Sequence, residues 1–410
     1  MKTAVLFTVS VFFAFGSLLA QHTWQMQETN VAGDLQAVSF INENTGIAVG
    51  NAGIVITTEN GGTTWATRET GIFNDLNGVD FAADTKIFAV GSGGKVLMTE
   101  DLGQSWETVV IPNVEYDLLD VAFDKGSGRG VITGQTNAVI VTSDFGETWT
   151  VVQDGYMSTF YAASMPNQNV SVVMGWNSIF QPLLGYTLDW QTWDYQSFYP
   201  TWGGVFYEGR ASGCKFLSEN EGYVVGIYFV PGGGFLAPFG GWANNAWDAQ
   251  SFPQPLTDID VTGPFGVVVG SNGYLAESSD NCQGWEMIST GAVNAQLNDV
   301  HLVGNTGYIA GETGTILKMI STVSVPENSG NGGFSCYPNP ARYFLNLQIK
   351  NPANALNIEI LDVSGTVMAK HPTTGNVNEV TIPVNDLPSG FYFLRIGGNG
   401  IIQTLKFSKD

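Results

Sequence analysis

The chain has 410 residues, 44% hydrophobic and 13% charged, with 51 glycines and a formal charge of -22. The apolar content excludes a disordered protein, and the glycine count suits an all-β chain rich in tight turns. So acidic a surface repels phosphate backbones and anionic lipid, which argues against nucleic acid or membrane surfaces as partners.

Residues 1–20 read as a secretory signal. Lys2 supplies the positive start, "AVLFTVSVFFAF" the apolar run, and Ala20 the small residue at the cut. Leu18 is large for its place before the cleavage point, and no Cys follows to carry a lipid anchor. No later stretch approaches 18 consecutive apolar residues, so the mature chain is expected to have no transmembrane segment.

From residue 21 to 323 the chain repeats itself about every 43 residues. Each copy opens on an alternating strand, as in "LQAVSF", "LNGVDF", "LLDVAF", "LTDIDV" and "LNDVHL". An apolar run then closes on a glycine: Gly50, Gly91, Gly134, Gly175, Gly226, Gly270 or Gly311. A third strand follows, then a turn and a fourth strand that starts at Trp. Four short strands per 40–45 residues is the period of a propeller blade, and seven closing glycines predict a seven-bladed β-propeller. The last copy stops after "TILKMISTV". Trp24 precedes Trp65 by the same 41 residues that separate Trp65 from Trp106, so "HTWQMQET" is expected to supply the missing strand and close the ring.

The turn between third and fourth strands carries a motif. Thr142, Asp144, Gly146, Thr148 and Trp149 form one copy and Thr99, Asp101, Gly103, Ser105 and Trp106 a second; a third has Asn60 for Asp before Trp65. Asp280 and Trp285 keep a worn copy, "YTLDWQTW" is one residue short, and the region of Trp247 barely matches. The motif resembles the Asp-box of bacterial neuraminidase-type repeats, and the repeat as a whole is similar to photosystem II stability/assembly factor-like propellers. The side chains have mechanical tasks: the carboxylate or amide accepts N–H groups of its own turn, glycine permits positive φ, and Trp fills the space between blades. These positions are therefore expected to be structural.

The Asp-box resemblance raises a rival function, a sialidase-like or other glycan-cleaving hydrolase. A sialidase needs an arginine cluster, and the propeller has only Arg68, Arg129 and Arg210. Tyr207 and Glu208 are adjacent, so on a strand they point to opposite faces. No carboxylate pair, phosphate-binding loop or Ser/His/Asp set is singled out, and no catalytic residue is assigned. His22, His301 and His371 are far apart, so no metal or cofactor is expected. Cys214, Cys282 and Cys336 are odd in number; buried free thiols are expected, with a Cys214–Cys282 bridge as the alternative.

One region departs from the repeat. Between Trp176 and Trp242 lie 18 aromatics in 67 residues, about 27% against 12% for the chain. They fall in three apparent insertions, "GWNSIFQPLLG", "DYQSFYPTWGGVFYEGR" and "GIYFVPGGGFLAPFGGW". Placed as loops on one face, they form a candidate wall for a glycan or protein ligand, with Trp176, Tyr199, Trp202, Tyr207, Tyr228, Phe235 and Trp242 as its rings. The alternative is that the rings pack on one another to hold the loops down.

Residues 324–334 read as a small-residue linker. Beyond it, 335–410 holds seven or so short strands, a small Ig-like β-sandwich. "YPNPARYFLNLQI", "IEILDVSGTVM", "DLPSGFYFLRI" and "TLKFSKD" resemble the C-terminal sorting domain of type IX secretion in Bacteroidetes. That resemblance implies the type IX machinery as a partner and a route through the periplasm to the outer surface or the medium. It also implies that this domain is often removed. The leading expectation is a non-catalytic binding or scaffold propeller.

Overall fold

The computed structural model describes residues 21–152, 158–322 and 334–409, apart from 203, 231, 243, 245, 291–292, 339, 355, 363–366, 374–375, 389 and 399–400. The expected signal, 1–20, and nearly all of the expected linker lie outside the described residues. Among the described residues, apart from three short 3-10 turns, every regular element is a strand. The chain divides into a unit His22–Ser321 and a unit containing Thr322–Asp410.

The first unit contains seven four-stranded antiparallel sheets, numbered here in the chain order of their first strands. Those first strands are Leu35–Phe40, Leu76–Phe81, Leu118–Asp124, Ser158–Asn167, Gly209–Ser218, Leu256–Thr262 and Leu297–Val303. Each packs on the next and the seventh packs on the first, which makes a ring around a central channel. The ring closes as the Trp spacing predicts. Gln21–Met26 is the outer strand of the seventh sheet, beside Thr315–Thr322, and the Gln27 N–H donates to the Ile316 carbonyl at 2.8 Å. Trp24 is buried there among Val267, Leu275 and Leu317, and its Nε1–H donates to Glu277 at 2.6 Å.

Every inner strand has a β-bulge near its start, between Leu35 and Ala37 and at the six equivalent places; it falls at the second residue in five sheets and at the fourth, Tyr161 and Ser212, in the longer strands of sheets four and five. The bulge gives the closing glycines their reason. Each lies opposite the residue just before the bulge, where the inner strand's backbone comes close. A Cβ on Gly91 would sit 1.9 Å from the Asp75 carbonyl oxygen, and one on Gly175 1.8 Å from that of Thr159. Gly91→Ala is therefore expected to cost about 1–3 kcal/mol by overpacking, read as a lower denaturation midpoint with an unchanged slope.

The bulge also turns the bulged side chain toward the next sheet. Asn77 donates to the Leu118 carbonyl, Ser212 to Leu256, Thr257 to Leu297 and Asn298 to Leu35. The same kind of bond thus joins successive inner strands at four of the seven junctions.

The second unit is a two-sheet sandwich. Phe334–Tyr337, Phe344–Asn354 and Asn376–Pro383 make one sheet; Val367–Lys370, Asn357–Leu361, Gly390–Gly398 and Ile401–Lys409 make the other. Alternating residues of both, including Leu347, Ile358, Ile360, Leu394 and Phe407, are buried in one core.

Candidate functional site

The four motif turns share one geometry. Asp144 accepts the Thr148 N–H at 2.9 Å, the Thr148 hydroxyl at 2.6 Å and the Thr142 hydroxyl at 2.8 Å. Asp101 does the same with Ser105 and Thr99. Asn60 fits because its oxygen accepts the Thr64 N–H while its NH2 donates to the Thr64 hydroxyl. Asp280 accepts the N–H groups of Gln283 and Gly284. Gly62, Gly103 and Gly146 have φ near +80°, where a side chain would be strained.

The Trp that follows each turn packs toward the preceding sheet. Trp149 meets Phe88 of sheet two edge-on at 5.6 Å, Trp285 meets Phe252 of sheet five at 5.9 Å, and Trp106 packs among residues of sheets one and two. Trp65 meets Phe40 of its own sheet in a cluster that reaches Tyr308 of sheet seven. Trp247, whose motif has decayed, is fully buried and stacks on Phe198 of sheet four at 4.2 Å. Hydrogen bonding to hydroxyls and N–H groups holds Asp101 down at about 2; at Asp144 desolvation is the largest single influence, and the bonds from Thr148 and Thr142 together outweigh it and lower the carboxyl. Asp144→Ala is expected to cost about 1–2 kcal/mol through lost turn bonds and to leave ligand affinity unchanged. Melting and binding on the same sample check both.

The channel carries the polar groups that the sequence reading passed over. A cavity of about 430 Å3 is lined by the inner strands, with Asp80, Asp120, Asp258, Asp260, Asp299, Lys125, Lys215 and His301 around it. Five carboxylates accept backbone N–H groups of the next sheet: Asp80 from Phe123, Asp120 from Ala163, Asp258 from Val300, Asp260 from Leu302 and Asp299 from Val38. Burial pushes Asp120 up to about 8. Burial first, then the neighbouring Asp299 carboxyl, raises Asp258. Lys215 pairs with Asp260 at 2.8 Å, and burial lowers His301. Among the described residues no His/Cys/Asp/Glu group is placed to hold a metal. Cys214, Cys282 and Cys336 are free thiols.

The aromatic region is built differently from the expected loops. Its strands are simply longer: Val170–Asn177 and Glu221–Tyr228 have 8 residues each, against 5 in Gly46–Gly50. The first apparent insertion is mostly strand and the third nearly half strand, with short hairpin tips at 178–181 and at 229–230 and 232–233. Tyr228 and Phe235 therefore do not belong to a ligand wall. They lie in strands, 2% and 0% exposed, inside the core of sheets four and five. Trp242 is also misplaced by the sequence reading. It follows Gly234–Pro238, at the third-to-fourth connection and so on the face opposite the hairpin tips, half-buried and stacked on Tyr186 at 4.1 Å. Tyr207 is half-buried on Tyr228, at 5.1 Å.

The remaining rings come to the surface with aliphatic neighbours. At the hairpin tips Trp176 packs on Phe180 at 4.9 Å, and Phe229 touches both. The connection between sheets four and five forms its own hairpin, Tyr199–Trp202 with Val205–Phe206, and Tyr199–Trp202 also pairs in parallel with Ala246–Asp248. Tyr199 takes a hydrogen bond from Gln181 at 2.5 Å and meets Phe206 edge-on, which ties this hairpin to the tip at 178–181. Phe180, Phe229, Trp202 and Phe206 are exposed, as are Ile179, Val205 and Val230; Trp202 is 50% exposed and Phe206 61%.

Fold and surface together define a β-propeller followed by a small β-sandwich with an aromatic patch over two adjacent blades. Residues 335–409 match the family model of the secretion system C-terminal sorting domain, and residues 17–114 that of the photosynthesis system II assembly factor YCF48. Among solved structures, the one described as YCF48 bound to D1 peptide is 19% identical, covers 72% of this chain and 96% of its own, and has a TM-score of 0.59. YCF48 from Cyanidioschyzon merolae is 16% identical over 72% and 98%, with a TM-score of 0.57. The WD40 propeller domain of Doa1 is 12% identical over 74% and 99%, also at 0.57. At such identities the likeness carries the fold. No curated protein sequence matches the chain. The sorting-domain match supports export by type IX secretion to the cell surface or beyond. Among the described residues no helix is long and apolar enough to cross a membrane.

Proposed function

We propose that the chain is an exported binding protein whose propeller docks a polypeptide on the hairpin-tip side of sheets four and five. Residues 1–20 and 335–410 serve as its two export signals, in the manner of a Bacteroidetes type IX substrate. The observation that carries this reading is the exposed surface made by Phe180, Phe229, Trp202 and Phe206 with Ile179, Val205 and Val230. Large exposed apolar patches on exported domains mark contact sites. Aliphatic side chains among the rings suit a polypeptide better than a sugar, whose polar edges need hydrogen-bonding groups beside the ring. The solved propeller with a bound peptide makes a polypeptide the natural first probe. The hydrolase reading is weaker, because the channel carboxylates hold backbone N–H groups.

The test is a parallel screen of the full chain against immobilised peptides and a glycan array, with turnover assayed on any glycan bound. Peptide capture that disappears in Phe180→Ser/Phe229→Ser at unchanged melting temperature is the expected result. Glycan binding with cleavage, and no peptide capture, would overturn it.

A further inference from the structure

We propose that the polypeptide bound on this patch is an extended segment of alternating apolar and basic residues, which adds as a strand to Val205–Phe206. The proposal rests on the binding reading above and names the class of partner.

The backbone makes the first part of the case. Thr201 faces Phe206 and Trp202 faces Val205, while the Tyr207 N–H donates to the Pro200 carbonyl at 3.1 Å. Bonded and non-bonded pairs alternate in an antiparallel ladder. Pro200 and Tyr207 are a bonded pair, so Thr201 and Phe206 are not, and the Phe206 N–H and C=O turn away from their hairpin partner. The other side of Tyr199–Trp202 is occupied: the Ala249 N–H donates to the Thr201 carbonyl at 2.7 Å. Val205–Phe206 is thus the outer edge of a three-stranded sheet.

Side chains make the second part. Proteins blunt an exposed edge with charge, proline or brevity. The outer strands Ala66–Arg68, Glu107–Val109 and Glu286–Met287 each carry a charged residue. Val205–Phe206 is short, but it carries no charge and both side chains are exposed. Alternate residues of an added strand would meet the Phe206–Tyr199 rings.

Charge decides the rest. Residues 176–252 hold six carboxylates against two cations, Arg210 and Lys215. Lys215 is paired with Asp260 in the channel, and Arg210 lies over the Tyr161 ring at 5.2 Å. Glu208 is two residues beyond Phe206, and Asp248 is opposite Thr201 in register; both are exposed. A segment that pairs here meets Glu208 at one end of the edge, with Asp248 on the far strand of the same sheet, in a region where carboxylates outnumber cations, which favours Lys or Arg on it.

Titration of the full chain by tryptophan fluorescence tests this with an acetylated, amidated Lys-Val-Lys-Phe-Lys-Val-Lys peptide as probe. Four control peptides are used: one replaces Lys by Glu, one replaces Val and Phe by Ser, and two carry N-methyl groups on alternate residues, one in each register. Binding of the probe, with each of the first two controls at least about tenfold weaker and one N-methyl register silent, is the expected result. Equal binding of both N-methyl registers, or of the Glu peptide, would overturn strand addition. If that binding were still lost in Phe180→Ser/Phe229→Ser, the docking face itself would stand. Equal binding of the Lys-Ser peptide would reduce the interaction to charge alone and overturn the proposal. So would failure of the probe to bind a chain that captures other peptides. Failure of all peptides would remove the underlying reading as well.

Discussion

Trp24→Ala is expected to lower the stability of the propeller by about 3–5 kcal/mol, the range for emptying a buried Trp site. The residue is 7% exposed, its ring packs on Val267 and Leu317, and its Nε1–H is bonded to Glu277. Because it lies on the N-terminal strand that completes the seventh sheet, the loss acts on ring closure. An open ring also exposes the edge of Thr315–Thr322, so aggregation on heating should rise. Urea denaturation of the full chain measures the first effect, and light scattering during a melt the second. Trp24→Phe, which keeps most of the apolar surface, should fall between. A propeller transition unchanged in Trp24→Ala would refute closure by this strand.

Stability is also expected to fall as pH rises from 5 to 9, and the channel sets the sign. Asp120 is pushed up to about 8 by burial, so the folded state favours its neutral form. A carboxyl raised in this way contributes its full stabilisation below the ordinary carboxylate range, and that contribution is lost as pH rises through about 8. A shift of about four units corresponds to roughly 5 kcal/mol as an upper limit for this one group. The raised Asp258 and Asp299 act in the same direction. The turn carboxylates act in the opposite one: Asp101 and Asp144 are lowered, so their stabilisation disappears only in acid, toward pH 2 for Asp101. Asp120→Asn keeps an acceptor for the Ala163 N–H and cannot ionise, so it should flatten the alkaline side and be the more stable form at pH 9. Denaturation midpoints of both proteins at pH 5, 7 and 9 decide this. A wild-type midpoint that climbs toward pH 9 would contradict it.

Much of the fold was legible because the repeat is written in side chains that have fixed jobs. The closing glycines, the turn acceptors and the Trp after each turn recur at constant offsets, so strand order and ring closure follow from counting. The bulge was not legible, since it is a backbone feature with no residue of its own: Gln36, Asn77, Leu119, Tyr161, Ser212, Thr257 and Asn298 all occupy it. The channel carboxylates left a signal that went unused, Asp at the inward positions of "LLDVAF", "LTDIDV" and "LNDVHL". The spacing of two between Asp258 and Asp260 matches acceptors for the N–H groups of alternate residues, Val300 and Leu302, of the next strand. The aromatic region misled for a physical reason. Extra length relative to the repeat was taken for loop, but alternating apolar residues such as Tyr228 and Phe235 extend a strand as readily as they decorate a loop. Periodicity around them was the better guide than length.

The central claim is that the hairpin-tip side of sheets four and five is where the exported propeller meets its ligand. Amide hydrogen exchange of the full chain, with and without a captured peptide, tests it most directly. Protection gained at 177–181, 199–207 and 229–230, with the motif turns around Asp101 and Asp144 unchanged, is the predicted result. Protection confined to those turns, or to the channel strands around Asp258 and Asp299, would contradict the account.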